Sequence, residues 1–155
     1  MTEKQESYFV REYLLEKVRN GGIGNIDIEK GLQQLGAKPI VFPAHFDFSL
    51  LGKIKRLIYL IKTGSRIPHG SVVFFQYPYY ALMTGLLLRM LQYRRNVHIV
   101  CIVADINGLK HGNPQLLEKE KKMFSRMRYF IVHNEAMQRW LNQIMPQAVS
   151  AKLNF

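Results

Sequence analysis

From residue 70 onward, short apolar runs alternate with longer stretches in which apolar positions recur at helical spacing. The runs at 71–76, 97–103 and 129–132 are continuous rather than alternating, the pattern of strands covered on both faces, and a helical pattern follows each. Predicted helices cover 79–94, 113–127 and 135–144. The second opens with Asn113 as N-cap and Pro114 at the first helical position, and carries Leu116, Leu117, Glu120 and Phe124 at helical spacing. The third lines up Met137, Trp140, Leu141 and Ile144, and 148–153 is a last extended piece. Between the central strand and the second helix, Asp105-Ile106-Asn107-Gly108 reads as loop chemistry.

The first third is less regular. Residues 8–15 fit a strand, with Tyr8, Val10, Glu12 and Leu14 on one face, or a helix, with Phe9, Tyr13 and Lys17 in a stripe; the strand is favoured. Residues 20–25 form a glycine-rich turn, Asn25 or Asp27 caps a helix running through Leu35, and Gly36 stops it. A second strand spans 39–42. Residues 50–61 are amphipathic, with Leu50, Ile54, Leu57, Ile58 and Ile61 on one side and Lys53, Lys55, Arg56 and Lys62 toward the other. Alternating units of this length predict a Rossmann-like, doubly wound α/β fold with a mainly parallel sheet and right-handed crossovers. Ligands of such folds bind at the carboxyl ends of the strands, so residues 21–25, 43–47, 76–79, 105–108 and 133–134 are expected on one rim.

Composition narrows the picture. A chain of 155 residues fits one domain with one core. Its single cysteine, Cys101, lies in an apolar run and reads as a buried hydrophobe, which excludes disulfides and cysteine zinc sites. The five histidines lack ligand spacing, so no metal is expected. The first residues carry no signal-peptide pattern and no apolar run reaches the length of a membrane span, so a cytoplasmic protein is expected. The net charge of +11 favours an anionic partner. Without a helix-turn-helix, RNP or zinc signature, nucleic acid is not the expected one.

A family becomes visible at the rim. Ile131-Val132-His133-Asn134, followed by a helix with Met137 and Trp140-Leu141, resembles the N-terminal domain of the β-1,6-galactofuranosyltransferase and glucosyltransferase family of GT-B fold. The helix 26–32 with its ending at Leu35-Gly36, the segment Phe75-Gln76-Tyr77-Pro78 and the stretch from Val103 to Lys110 are similar to further segments of that family, over about residues 20–155. The resemblance implies the N-terminal, acceptor-binding half of a bacterial glycosyltransferase that uses a sugar nucleotide such as a UDP-sugar and acts on an envelope polysaccharide or lipid-linked glycan. It also implies that the nucleotide-sugar domain is missing from this chain, and that the chain by itself is inactive and holds no cofactor.

Glycosyl transfer needs a base for the acceptor hydroxyl and donors for the departing diphosphate. Asp105, directly after the central strand, is the candidate base, with a turn-forming role as the alternative. His133 either orients a sugar hydroxyl and assists proton transfer or, with Asn134, pins the strand-to-helix turn. His45 and Asp47 are a weaker base pair. Gly22, Gly24 and Asn25 bring backbone N–H groups toward a substrate phosphate or form a plain turn; they are neither a Walker loop nor a GxGxxG fingerprint, which speaks against a dehydrogenase. Gln76, Tyr77, Asn107 and Asn134 complete the substrate-binding set. Lys53, Lys55 and Arg56, in a segment from 50 to 66 without an acidic residue and near Phe46, Phe48 and Tyr59, are candidates for contact with an anionic membrane or a lipid diphosphate; an ordinary surface helix with its leucines in the core is the alternative. A noncatalytic module that recruits a separate catalytic subunit is the alternative to the enzyme.

Overall fold

The computed structural model describes residues 5–11, 23–41, 49–79, 82–94 and 96–153. Strands and helices alternate along the chain: β1 Ser7–Arg11, α1 Ile23–Gln34, β2 Lys38–Val41, α2 Leu50–Ser65, β3 Val72–Tyr77, α3 Leu82–Gln92, β4 His98–Val103, α4 Asn107–Lys110, α5 Pro114–Phe124, β5 Tyr129–Val132, α6 Glu135–Ile144 and β6 Val149–Lys152. The six strands form one parallel sheet in the order β2-β1-β3-β4-β5-β6, and the fold is α/β and Rossmann-like.

Two compact units divide the described chain: 1–73 with 79–97, and 74–78 with 98–155. In the first, β1 runs parallel to β2 with Phe9 opposite Pro39 and Val10 opposite Ile40. Proline is tolerated here because β2 is an edge strand. The ambiguous segment near the N-terminus is a strand over Ser7–Arg11. Helix α1 ends in a Schellman motif: the N–H of Ala37 donates to Leu32 O at 2.9 Å and that of Gly36 to Gln33 O at 2.9 Å, with Gly36 at φ +85°. Its start differs from expectation. The helix begins at Ile23, so Gly24, Asn25 and Asp27 lie inside it and neither Asn25 nor Asp27 is its cap. Helical bonding extends back into the glycine-rich stretch because glycine costs a first turn little more than a loop.

Helices α2 and α3 pack together, with Gly64 facing Leu87 and Met90, and Leu60, Leu87, Leu88 and Leu91 are buried. A Cβ on Gly64 would fall 1.7 Å from Met90 Cε, so glycine leaves the room that the end of this methionine occupies. The remaining face of α2 departs from a core-facing stripe: Leu50, Leu51, Ile54, Leu57, Ile58 and Ile61 are exposed.

In the second unit, β4 pairs with β5 and β5 with β6, both parallel, in a register that sets Val103 opposite Val132 and Val132 opposite Lys152. Its core joins Cys101, Ile102 and Val103 to an aromatic series in which Tyr77 meets Phe124 edge-on at 5.1 Å and Phe124 meets Phe130 at 5.8 Å. Burial of Cys101 pushes its thiol pKa well up, as expected for a core hydrophobe. Side-chain caps begin α5, where Leu116 N donates to Asn113 Oδ1 at 3.1 Å, and α6, where Met137 N donates to Asn134 Oδ1 at 2.8 Å. The expected loop after β4 is instead partly helical, because Asn107–Lys110 forms α4.

Candidate functional site

The carboxyl ends of β3, β4 and β5 in the second unit carry the candidate groups. The N–H of Ala104 donates to Tyr77 O at 2.8 Å and that of Leu153 to Val132 O at 2.9 Å, so these strands leave the sheet at one level. Since Val103 is in register with Val132, Ala104 and Asp105 continue β4 where His133 and Asn134 continue β5. Continued past the strand ends, that register sets Ala104 level with His133 and Asp105 level with Asn134, so the two turns lie on one rim.

Three hydrogen bonds to Glu120 hold this rim. Although α4 starts after Ile106, which offers no side-chain cap, its first amides are met from α5: Asn107 N donates to Glu120 Oε1 at 2.8 Å and Gly108 N to Oε2 at 2.8 Å. The Tyr77 hydroxyl also donates to Oε1, at 2.6 Å. Glu120 is only 2% exposed, and these donors are what make a buried carboxylate tolerable. The close approach of α4 to α5 needs glycine at 108, where a Cβ would lie 2.5 Å from Leu117 Cα and 2.7 Å from Glu120 Oε2. Glu120 was not among the expected site residues. Its signal was present as a lone acid in the apolar stripe of α5, facing a helix start without a cap of its own.

The expected residues take distinct places around this frame. Asp105 is partly exposed and its Oδ2 accepts from Lys110 Nζ at 2.6 Å, an ion pair that spans α4. His133 is half-buried directly after β5. Asn134 turns its side chain to the cap of α6, in keeping with the turn-pinning alternative for this position. Gln76 is half-buried on β3 beside Tyr77, whose hydroxyl is committed to Glu120, and Asn107 contributes its backbone amide to the same network. Next to Asn134, Glu135 accepts from Lys152 Nζ at 2.8 Å, and that lysine, with Arg139, holds its pKa below the usual value. Gly24 and Asn25 belong to the first unit, in α1, and Gly22, His45, Phe46, Asp47 and Phe48 lie outside the described residues. Among the described residues no group of three or more His, Cys, Asp or Glu is arranged to hold a metal ion, and no helix is long and apolar enough to cross a membrane.

A family model for the glucosyltransferase 3-like N-terminal domain matches residues 7–144, nearly the whole of this architecture. The chain belongs to that family. Its match runs from β1 to the end of α6 and so includes the Asp105 and His133 rim, which makes the rim part of a glucosyltransferase-like domain. No curated protein matches the chain.

Proposed function

We propose that the chain is the acceptor-side half of a sugar-nucleotide-dependent glycosyltransferase of GT-B organisation, acting on an envelope polysaccharide or a lipid-linked glycan. The observation that carries the reading is the register of β4 with β5, which brings the turn that holds Asp105 and the turn that holds His133 to the same carboxyl-end rim of a parallel sheet, in a glucosyltransferase-like domain. In the reaction, an acceptor hydroxyl oxygen attacks the anomeric carbon of the donor, the bond from that carbon to the diphosphate oxygen breaks, and the nucleoside diphosphate leaves. Asp105 takes the hydroxyl proton, with Lys110 holding its orientation through the ion pair; His133 holds the hydroxyl by a hydrogen bond. Gln76 contributes a further polar group for the sugar. A second domain of the full-length protein supplies the nucleotide-sugar pocket, and the family's description as an N-terminal domain supports that division.

Calorimetry with a UDP-sugar tests the division of labour. Binding by the full-length protein together with no measurable binding by this chain alone is the expected result. Tight binding by the isolated chain overturns the assignment of the donor pocket to the other half.

A further inference from the structure

Helix α2 carries more apolar surface than it buries among the described residues. Gly52, Leu60 and Gly64 are buried, the last two on the side that meets α3. Adjoining the Gly64 side, on a helix of 3.6 residues per turn, Leu50, Leu51, Ile54, Leu57, Ile58 and Ile61 fill an arc of about 120°. This arc is solvent-facing: Leu50 is 74% exposed, Leu51 70% and Ile58 59%. Six large aliphatic side chains in one exposed stripe are a surface that needs a partner.

The margins say which partner. Lys55, Lys62 and Arg66 project along one edge of the stripe and Lys53 along the other, all exposed, and no acidic residue occurs between 50 and 66. An apolar stripe with cations on both edges has the composition of a helix lying in the plane of an anionic bilayer surface, its leucines and isoleucines among the upper acyl chains and its lysines among the lipid phosphates. Four cations without an acidic residue are complementary to a surface of uniform negative charge, which the phosphates of an anionic bilayer present. We propose that α2 is an interfacial membrane anchor, with the exposed stripe inserted shallowly into a membrane rich in anionic lipid. This goes beyond the reading of the rim and does not depend on it.

Vesicle flotation of the intact protein tests the anchor, with vesicles of phosphatidylglycerol and phosphatidylcholine in equal parts set against phosphatidylcholine alone. The wild type is expected to float with the anionic vesicles, to do so much less with the neutral ones, and to lose binding as salt rises. Replacing Lys55 and Lys62 together by alanine should weaken partitioning roughly 25-fold, at about fivefold per cation. The pair Leu51→Glu and Ile58→Glu should abolish it while circular dichroism stays unchanged, because neither side chain packs in the core. Flotation of this pair at the wild-type level overturns the proposal, as does absence of binding by the wild type. Self-association of the wild type, lost in the Leu51→Glu and Ile58→Glu pair and unaccompanied by vesicle binding, overturns it in favour of a face between copies. Glycosyl transfer is measured separately, so failure of either reading leaves the other standing.

Discussion

The hydroxyl of Tyr77, at the end of β3, donates to Oε1 of Glu120 in α5 at 2.6 Å, and through that carboxylate reaches the first amides of α4. One buried acid thus ties a strand end, a strand-to-helix turn and a helix, and fixes the start of the segment that follows Asp105.

Removing the acid should cost far more than removing the phenol. Glu120→Ala leaves buried or half-buried donors unmet and is expected to destabilise by about 3 kcal/mol or more, whereas Tyr77→Phe should cost about 1 kcal/mol. Urea denaturation of both single variants and the double variant checks this. A coupling near zero in that cycle would mean that the bond contributes nothing.

Two glycine substitutions should move stability in opposite directions. At Gly108 a methyl group meets the backbone of Leu117, and Gly108→Ala should destabilise by about 1–3 kcal/mol. Gly31 lies inside α1 with open space around its Cβ position, and Gly31→Ala should stabilise by roughly 0.5–1 kcal/mol. Thermal unfolding of the two variants, run side by side, reads the signs.

Activity and stability should separate at the rim. In the full-length protein, Asp105→Asn is expected to lower kcat by about 100-fold or more, as loss of a general base does. It should change stability by less than about 1 kcal/mol, because the pair with Lys110 is solvent-exposed. Asn134→Ala should do the reverse, costing about 1 kcal/mol through the α6 cap while transfer activity in the folded protein persists. Full activity of Asp105→Asn would remove it from the chemistry.

The alkaline limit of stability should carry a mark from Tyr8. Burial, together with its hydrogen bond to Glu6, pushes its pKa up to about 12 from the ordinary 10.0. Between these values the unfolded chain has lost the proton that the folded chain keeps. The contribution of this group to stability is therefore complete below pH 10.0 and is lost as pH rises toward about 12. Denaturation across that range should fall more steeply for the wild type than for Tyr8→Phe; equal slopes would contradict it.

How far the sequence reached depended on the kind of signal. Strand β5 and helix α6 were legible to the residue, since a continuous β-branched and aromatic run ends at an Asn cap and an amphipathic helix follows. The Asn113 cap with Pro114 gave α5 its start for the same local reason. The start of α1 and the helical character of Asn107–Lys110 were not legible: glycine permits both turn and helix, and α4 takes its cap from a carboxylate that is distant in sequence.

By itself the sequence determined the alternation of strands and helices, the parallel α/β class, the burial of Cys101 and the resemblance carried by His133 and Asn134. These rest on local propensity and on hydrophobic period, which act between near neighbours. Only the tertiary structure decided that Glu120 serves as a distant cap, that Asp105 and His133 follow strands in register, and that the aliphatic stripe of α2 faces solvent. Periodicity tells that a helix has an apolar side, but which side finds a neighbour depends on packing between segments far apart in the chain.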